Sequence, residues 1–90
     1  MPLPPAMAGR SALLAAVAAA IEGRWDDAHA RVQRLEDDRF ACWIHAVLHR
    51  IEGDQANARY WYRRAGHEPP AAALAPREEL AQIRALLEGS

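Results

Sequence analysis

The sequence predicts an all-α fold: a five-helix, repeat-like bundle of stacked antiparallel helical hairpins. Three observations carry that prediction. Alanine fills 21 of the 90 positions while Val and Ile together fill seven, so helix formers abound and β-branched residues for a sheet do not. Apolar residues recur at helical spacing in successive segments. Gly23, Gly53, Gly66 and the pair Pro69-Pro70 punctuate those segments, and the short connections favour antiparallel neighbours. A chain of this length holds one small domain, expected over 11–90, behind a flexible N-terminal tail over 1–10 that carries Pro2, Pro4 and Pro5.

Helix 1 is expected from the cap Ser11 to Glu22, with Gly23 just past its end. Arg10 and the apolar run after it have the outline of a secretory signal. Leu13, Leu14, Val17 and Ile21 share one helical face, however, and the run flows into a polar helical pattern with no spacer. It is also shorter than the roughly 20 apolar residues that span a bilayer. A cytoplasmic protein with no membrane association is expected. In helix 2, Asp26 is placed as the cap and Trp25 as a staple before it, with Ala28, Val32 and Leu35 facing inward. Asp38 caps helix 3, whose wide apolar face carries Phe40, Trp43, Ile44, Val47, Leu48 and Ile51. Gly53 ends that helix and Asp54 caps helix 4, where Ala58, Trp61, Tyr62 and Ala65 align. Helix 5 starts near Pro76, with Glu78 and Glu79 complementing its dipole and Leu80, Ile83 and Leu87 inward, Leu86 beside them.

Two segments share a plan 30 residues apart: Gly23-Arg24-Trp25-Asp26-Asp27-Ala28 and Gly53-Asp54-Gln55-Ala56-Asn57-Ala58. Continuing from Gly53, Tyr62, Ala65 and Pro70 have a spacing that resembles the second helix of a tetratricopeptide repeat. The run Ala58-Arg59-Tyr60-Trp61-Tyr62-Arg63-Arg64-Ala65 is similar to that of Sel-like repeats. Leu48-His49-Arg50-Ile51-Glu52-Gly53-Asp54 and the Asn57-to-Gly66 segment also resemble a string shared by a group of small microbial proteins with no assigned activity. The repeat resemblance implies two degenerate hairpins plus a C-terminal capping helix, with small alanines at 28, 46, 58 and 65 letting helices approach.

Eleven Arg against 12 acids leave a net charge of −1, which gives no basic footprint for nucleic acid. One Cys excludes a disulfide framework and a multi-Cys zinc site. The chain offers no Ser/Thr nucleophile, Gly-rich phosphate loop or paired-carboxylate motif, so a non-catalytic role without a cofactor is expected. Cys42, His45, His49 and Glu52 form one stripe on helix 3, and His45 and His49 at i, i+4 have metal-ligand spacing. One helix cannot easily wrap an ion alone, and His29 would have to come across from helix 2. The stripe is therefore expected to hold imidazoles hydrogen-bonded between helices, with no metal. On helix 4, Asn57, Tyr60 and Arg64 flank Trp61, with Arg59 and Arg63 adjoining: side-chain types suited to carboxylates and to interface hot spots. The face of Trp43, Val47 and Ile51 either docks a partner or is covered by helices 1 and 5. The expected function is an interaction or scaffolding module binding another protein or a second copy of itself. The alternative is a small-ligand or metal site built from His45, His49, Asn57, Tyr60 and Arg63.

Overall fold

Three glycines set the corners of the chain. Gly23, Gly53 and Gly66 have φ of +84°, +84° and +67°, a left-handed conformation that a Cβ disfavours. At the first corner the Gly23 N–H donates to Ala20 O at 3.1 Å and the Arg24 N–H to Ala19 O at 2.9 Å. At the second, Gly53 donates to Arg50 O at 3.1 Å and Asp54 to His49 O at 2.9 Å. These two corners therefore share both conformation and hydrogen bonding. Gly66 and His67 repeat the pattern onto Arg63 O and Tyr62 O.

The computed structural model describes residues 5–89, and among them there are five helices and no strand. They are α1 (Pro5–Ile21), α2 (Trp25–Gln33), α3 (Arg39–Glu52), α4 (Gln55–Ala65) and α5 (Pro76–Gly89). Helix α1 starts at Pro5 rather than near Ser11, so the boundary expected at residue 10 is corrected; residues 1–4 of the expected tail lie outside the described residues. Pro at the first helical position loses no intrahelical bond. Arg10 shows what the extra turns do: its Nε donates to Leu87 O at 2.8 Å and its Nη2 to Glu88 O at 3.2 Å, closing the C-terminal end of α5.

The caps at Asp38 and Asp54 form as expected, accepting from the backbone N–H of Ala41 and Asn57. Asp26 does not cap α2. The Gly23 closure leaves no spacer, so the helix restarts at Trp25, Arg24 takes the N-cap position without a side-chain capping bond, and Asp26 and Asp27 fall in the first turn. Trp25 Nε1 instead reaches across to Leu48 O on α3 at 2.7 Å.

Helix α3 is the centre of the bundle, touching the other four helices. Ala28, Ala46, Ala58 and Ala65 are all buried, so the small side chains that let the helices approach stand in the interior. Every residue from Ala41 to His49 is buried, which leaves no open apolar face. Trp43 and Val47 are thus interior residues and not a docking surface: the apolar stripe of α5, Leu80, Ile83 and Leu87, is itself buried in the same core. Ile51 alone of that trio is exposed, at 46 %. Leu86, 53 % exposed, points away from the core instead of lying beside its neighbours. No helix among the described residues is long and apolar enough to cross a membrane.

Candidate metal centre

The packing of α2 against α3 brings three imidazoles together. His29 stands one turn after Trp25 on α2, and His45 and His49 are one turn apart on α3. One ligating nitrogen from each lies within 4.8 Å of the others. The ring centroids are 4.7 Å apart for His29 and His45, 4.9 Å for His45 and His49, and 5.5 Å for His29 and His49. Two indoles wall the cluster: Trp25 stacks on His29 at 4.6 Å, and Trp61 of α4 stacks on His45 at 3.8 Å.

Burial makes this arrangement chemically unusual. His45 is only 3 % exposed, and neither of its ring nitrogens makes a hydrogen bond among the described residues. The same holds for the half-buried His29. No nitrogen is wholly enclosed without a partner, so those of His45 keep a trace of solvent contact. The expected hydrogen bonds between helices are therefore not made. His49 Nδ1 pairs with Glu52 Oε1 on its own helix at 2.5 Å. Desolvation, reinforced by His29 and His49, lowers the pKa of His45 to about 3. Desolvation and His49 also lower His29, against a weaker upward pull from Glu52 and Asp26. His45 is neutral at physiological pH, the form that ligates metal.

The five residues expected to share one site are divided. His45 and His49 join His29 and Trp61. Asn57 turns to Asp54, its Nδ2 donating to Oδ2 at 2.7 Å, and Tyr60 lies edge-on to Trp61 on the surface. Arg63 lines a different recess, with Arg59, His67 and Pro69. The reason is helical phase: 57, 60, 61 and 64 lie on one side of α4, whereas 59 and 63 lie on another. Arg64 is committed to structure. It sits 5.3 Å over the Trp61 ring, and its Nη2 donates to Glu36 O at 3.1 Å in the turn before α3. Cys42, on the same stripe, donates to Glu36 O at 3.1 Å and stays outside the cluster; burial raises its thiol pKa.

A second polar centre lies where α3, α4 and α5 meet. Glu79, 1 % exposed, accepts from Trp43 Nε1 at 2.8 Å, from Tyr62 Oη at 2.8 Å and from Arg50 Nη1 at 2.5 Å. Arg50 Nη2 donates to Leu74 O at 2.7 Å, which ties the loop before α5 to the same hub. Burial, then the Glu79 carboxylate, pushes the Tyr62 phenol well above its usual pKa, so it remains a donor. No enclosed side-chain polar atom here lacks a partner, which marks the hub as structural. The spacing held a signal for it: Glu79 shares the inner stripe with Leu80, Ile83 and Leu87. Arg50 and Tyr62 also form part of the lining of a cleft of about 390 Å³, with Arg59, Pro69, Pro70 and Pro76.

No family model, curated protein or solved structure matches this chain.

Proposed function

We propose that this protein binds a first-row transition-metal ion such as Zn²⁺ through His29, His45 and His49. The supporting observation is the convergence of three imidazoles from two helices, two of them without any hydrogen bond to their nitrogens. Neutral imidazole suits Zn²⁺, Cu²⁺ and Ni²⁺, whereas Ca²⁺ and Mg²⁺ prefer oxygen ligands. An ion there would join the α1–α2 hairpin to the α3–α4 hairpin through the α2–α3 seam. Thermal unfolding with and without zinc tests this. At a hundredfold excess over Kd the stability should rise by about 2.7 kcal/mol. His45→Ala and His29→Ala should abolish that rise, and an unchanged Tm at millimolar zinc would overturn the reading.

A second reading keeps the outer face of α4 as a docking surface for another protein. It is supported by Tyr60, 43 % exposed, beside the Trp61–Arg64 stack, with Arg59 and Arg63 exposed on the adjoining side. Alanine at Tyr60 and Arg63 should leave Tm unchanged and remove a co-purifying partner. We also read α1–α2 and α3–α4 as two degenerate helical repeats, a reading supported by the matching corners at Gly23 and Gly53.

A further inference from the structure

We infer that an ion held by the histidine triad keeps a fourth coordination position for water or a small anion, because the nearby acids are committed elsewhere. This rests on the metal reading above. Zinc and cobalt(II) take four or five ligands, and the triad supplies three. Four side chains could compete for the fourth position: Glu52, Asp54, Cys42 and Asp26.

Glu52 is the carboxylate in contact with the triad, through the 2.5 Å bond to His49 Nδ1. A carboxylate only accepts, so Nδ1 carries the proton and the lone pair of His49 is left on Nε2. The two nitrogens of an imidazole face opposite sides of the ring. A carboxylate holding Nδ1 is therefore on the far side of His49 from an ion at Nε2. It acts as a positioning residue, fixing the tautomer and making the ring a stronger ligand.

Asp54 is within ligating range of His49 and Glu52 but not of the full triad. Its Oδ1 accepts from Asn57 N at 3.2 Å and its Oδ2 from Asn57 Nδ2 at 2.7 Å, and swinging it inward would uncap α4. The Cys42 sulfur is turned to Glu36 O. Asp26, exposed in the first turn of α2, is not among the groups that converge with the histidines. The indoles of Trp25 and Trp61, stacked on His29 and His45, cannot ligate. With these side chains held elsewhere, the fourth position is left to water, hydroxide or a small anion such as azide. Such an ion is a Lewis acid with an exchangeable ligand, unlike a closed structural centre.

The test is to load the full chain with Co²⁺, record its visible d–d absorption, and titrate sodium azide. The expected result is a one-equivalent Co²⁺ spectrum that azide shifts saturably. Glu52→Gln, folded by far-UV circular dichroism, should keep the azide response while binding Co²⁺ about 10–100-fold more weakly. A Co²⁺ spectrum insensitive to azide would overturn this inference and leave the metal reading standing. So would an azide response that emerges only in Glu52→Gln, since Glu52 would then be the fourth ligand. Absence of any Co²⁺ spectrum removes both.

Discussion

At Glu79 a single carboxylate answers three donors from two other helices, and its burial decides what substitution does there. Removing it leaves the half-buried Arg50 guanidinium and the buried Tyr62 and Trp43 side chains without their shared acceptor. Glu79→Ala is expected to lose about 3–5 kcal/mol, the range for breaking a buried ion pair from one side. Glu79→Gln retains one acceptor oxygen and should lose clearly less. Urea unfolding of the two variants checks the order, and equal losses would mean that charge, not hydrogen bonding, holds the hub. The residue was only half legible in the sequence. Its place on the inner stripe of α5 could be read from spacing, but its first-turn position pointed equally to the helix dipole. What decides between the two is Arg50, 29 residues away, and no local pattern contains that distance. His29 is the opposite case. Its requirement could be stated from the geometry of one helix, yet its arrival depended on how α2 lies against α3.

Between elements, the corners and the α2–α3 seam respond differently to perturbation. Gly53→Ala forces a Cβ into φ +84° and should destabilise by about 1–2 kcal/mol. Gly66→Ala adds a contact with the end of the Arg39 side chain, which is flexible, so its loss by denaturant titration should exceed that of Gly53→Ala only slightly. The seam responds to pH. His29 and His45 both have folded pKa values below the unfolded value of 6.5, so as pH falls the unfolded chain takes up protons first. The stabilising contribution of neutral imidazole is complete above about 6.5 and drains as pH falls toward about 3, the folded value for His45. In metal-free protein, Tm should therefore fall across that window, and His45→Gln should flatten the decline. A slope unchanged by His45→Gln would show that carboxylates elsewhere control the acid limb. The caps at Asp38 and Asp54 were legible because a cap is a local pattern of acid and spacing. Asp26 misled because the same pattern recurs one residue after the true start, and the tight Gly23 closure decides between them.

Over the whole molecule, sequence-neighbouring helices supply most of the packing, and α5 is the exception. It lies along α1 and α3 and meets α4 through the Tyr62–Glu79 bond, and its contacts span the chain: Arg10 to Leu87 across 77 residues, Trp43 to Glu79 across 36. That docking was the part of the fold least legible beforehand, because an amphipathic stripe shows that a helix needs a partner without saying which. It is also what withdrew Trp43 and Val47 from the surface. Closing long loops has an entropic cost that must be met before the distant contacts contribute, so the α1–α2 and α3–α4 hairpins should assemble first and α5 last. Ile83 and Ile44 are both fully buried, one on α5 and one at the centre of α3. Truncation of either to alanine should remove about 2–5 kcal/mol of stability. The two losses should appear in different rates. Ile83→Ala is expected to speed unfolding and leave folding nearly unchanged, whereas Ile44→Ala slows folding, because only the second side chain is packed in the transition state. Stopped-flow chevrons of the two variants measure this directly. If Ile83→Ala slows folding as much as Ile44→Ala does, α5 is part of the nucleus and the hairpins do not form ahead of it.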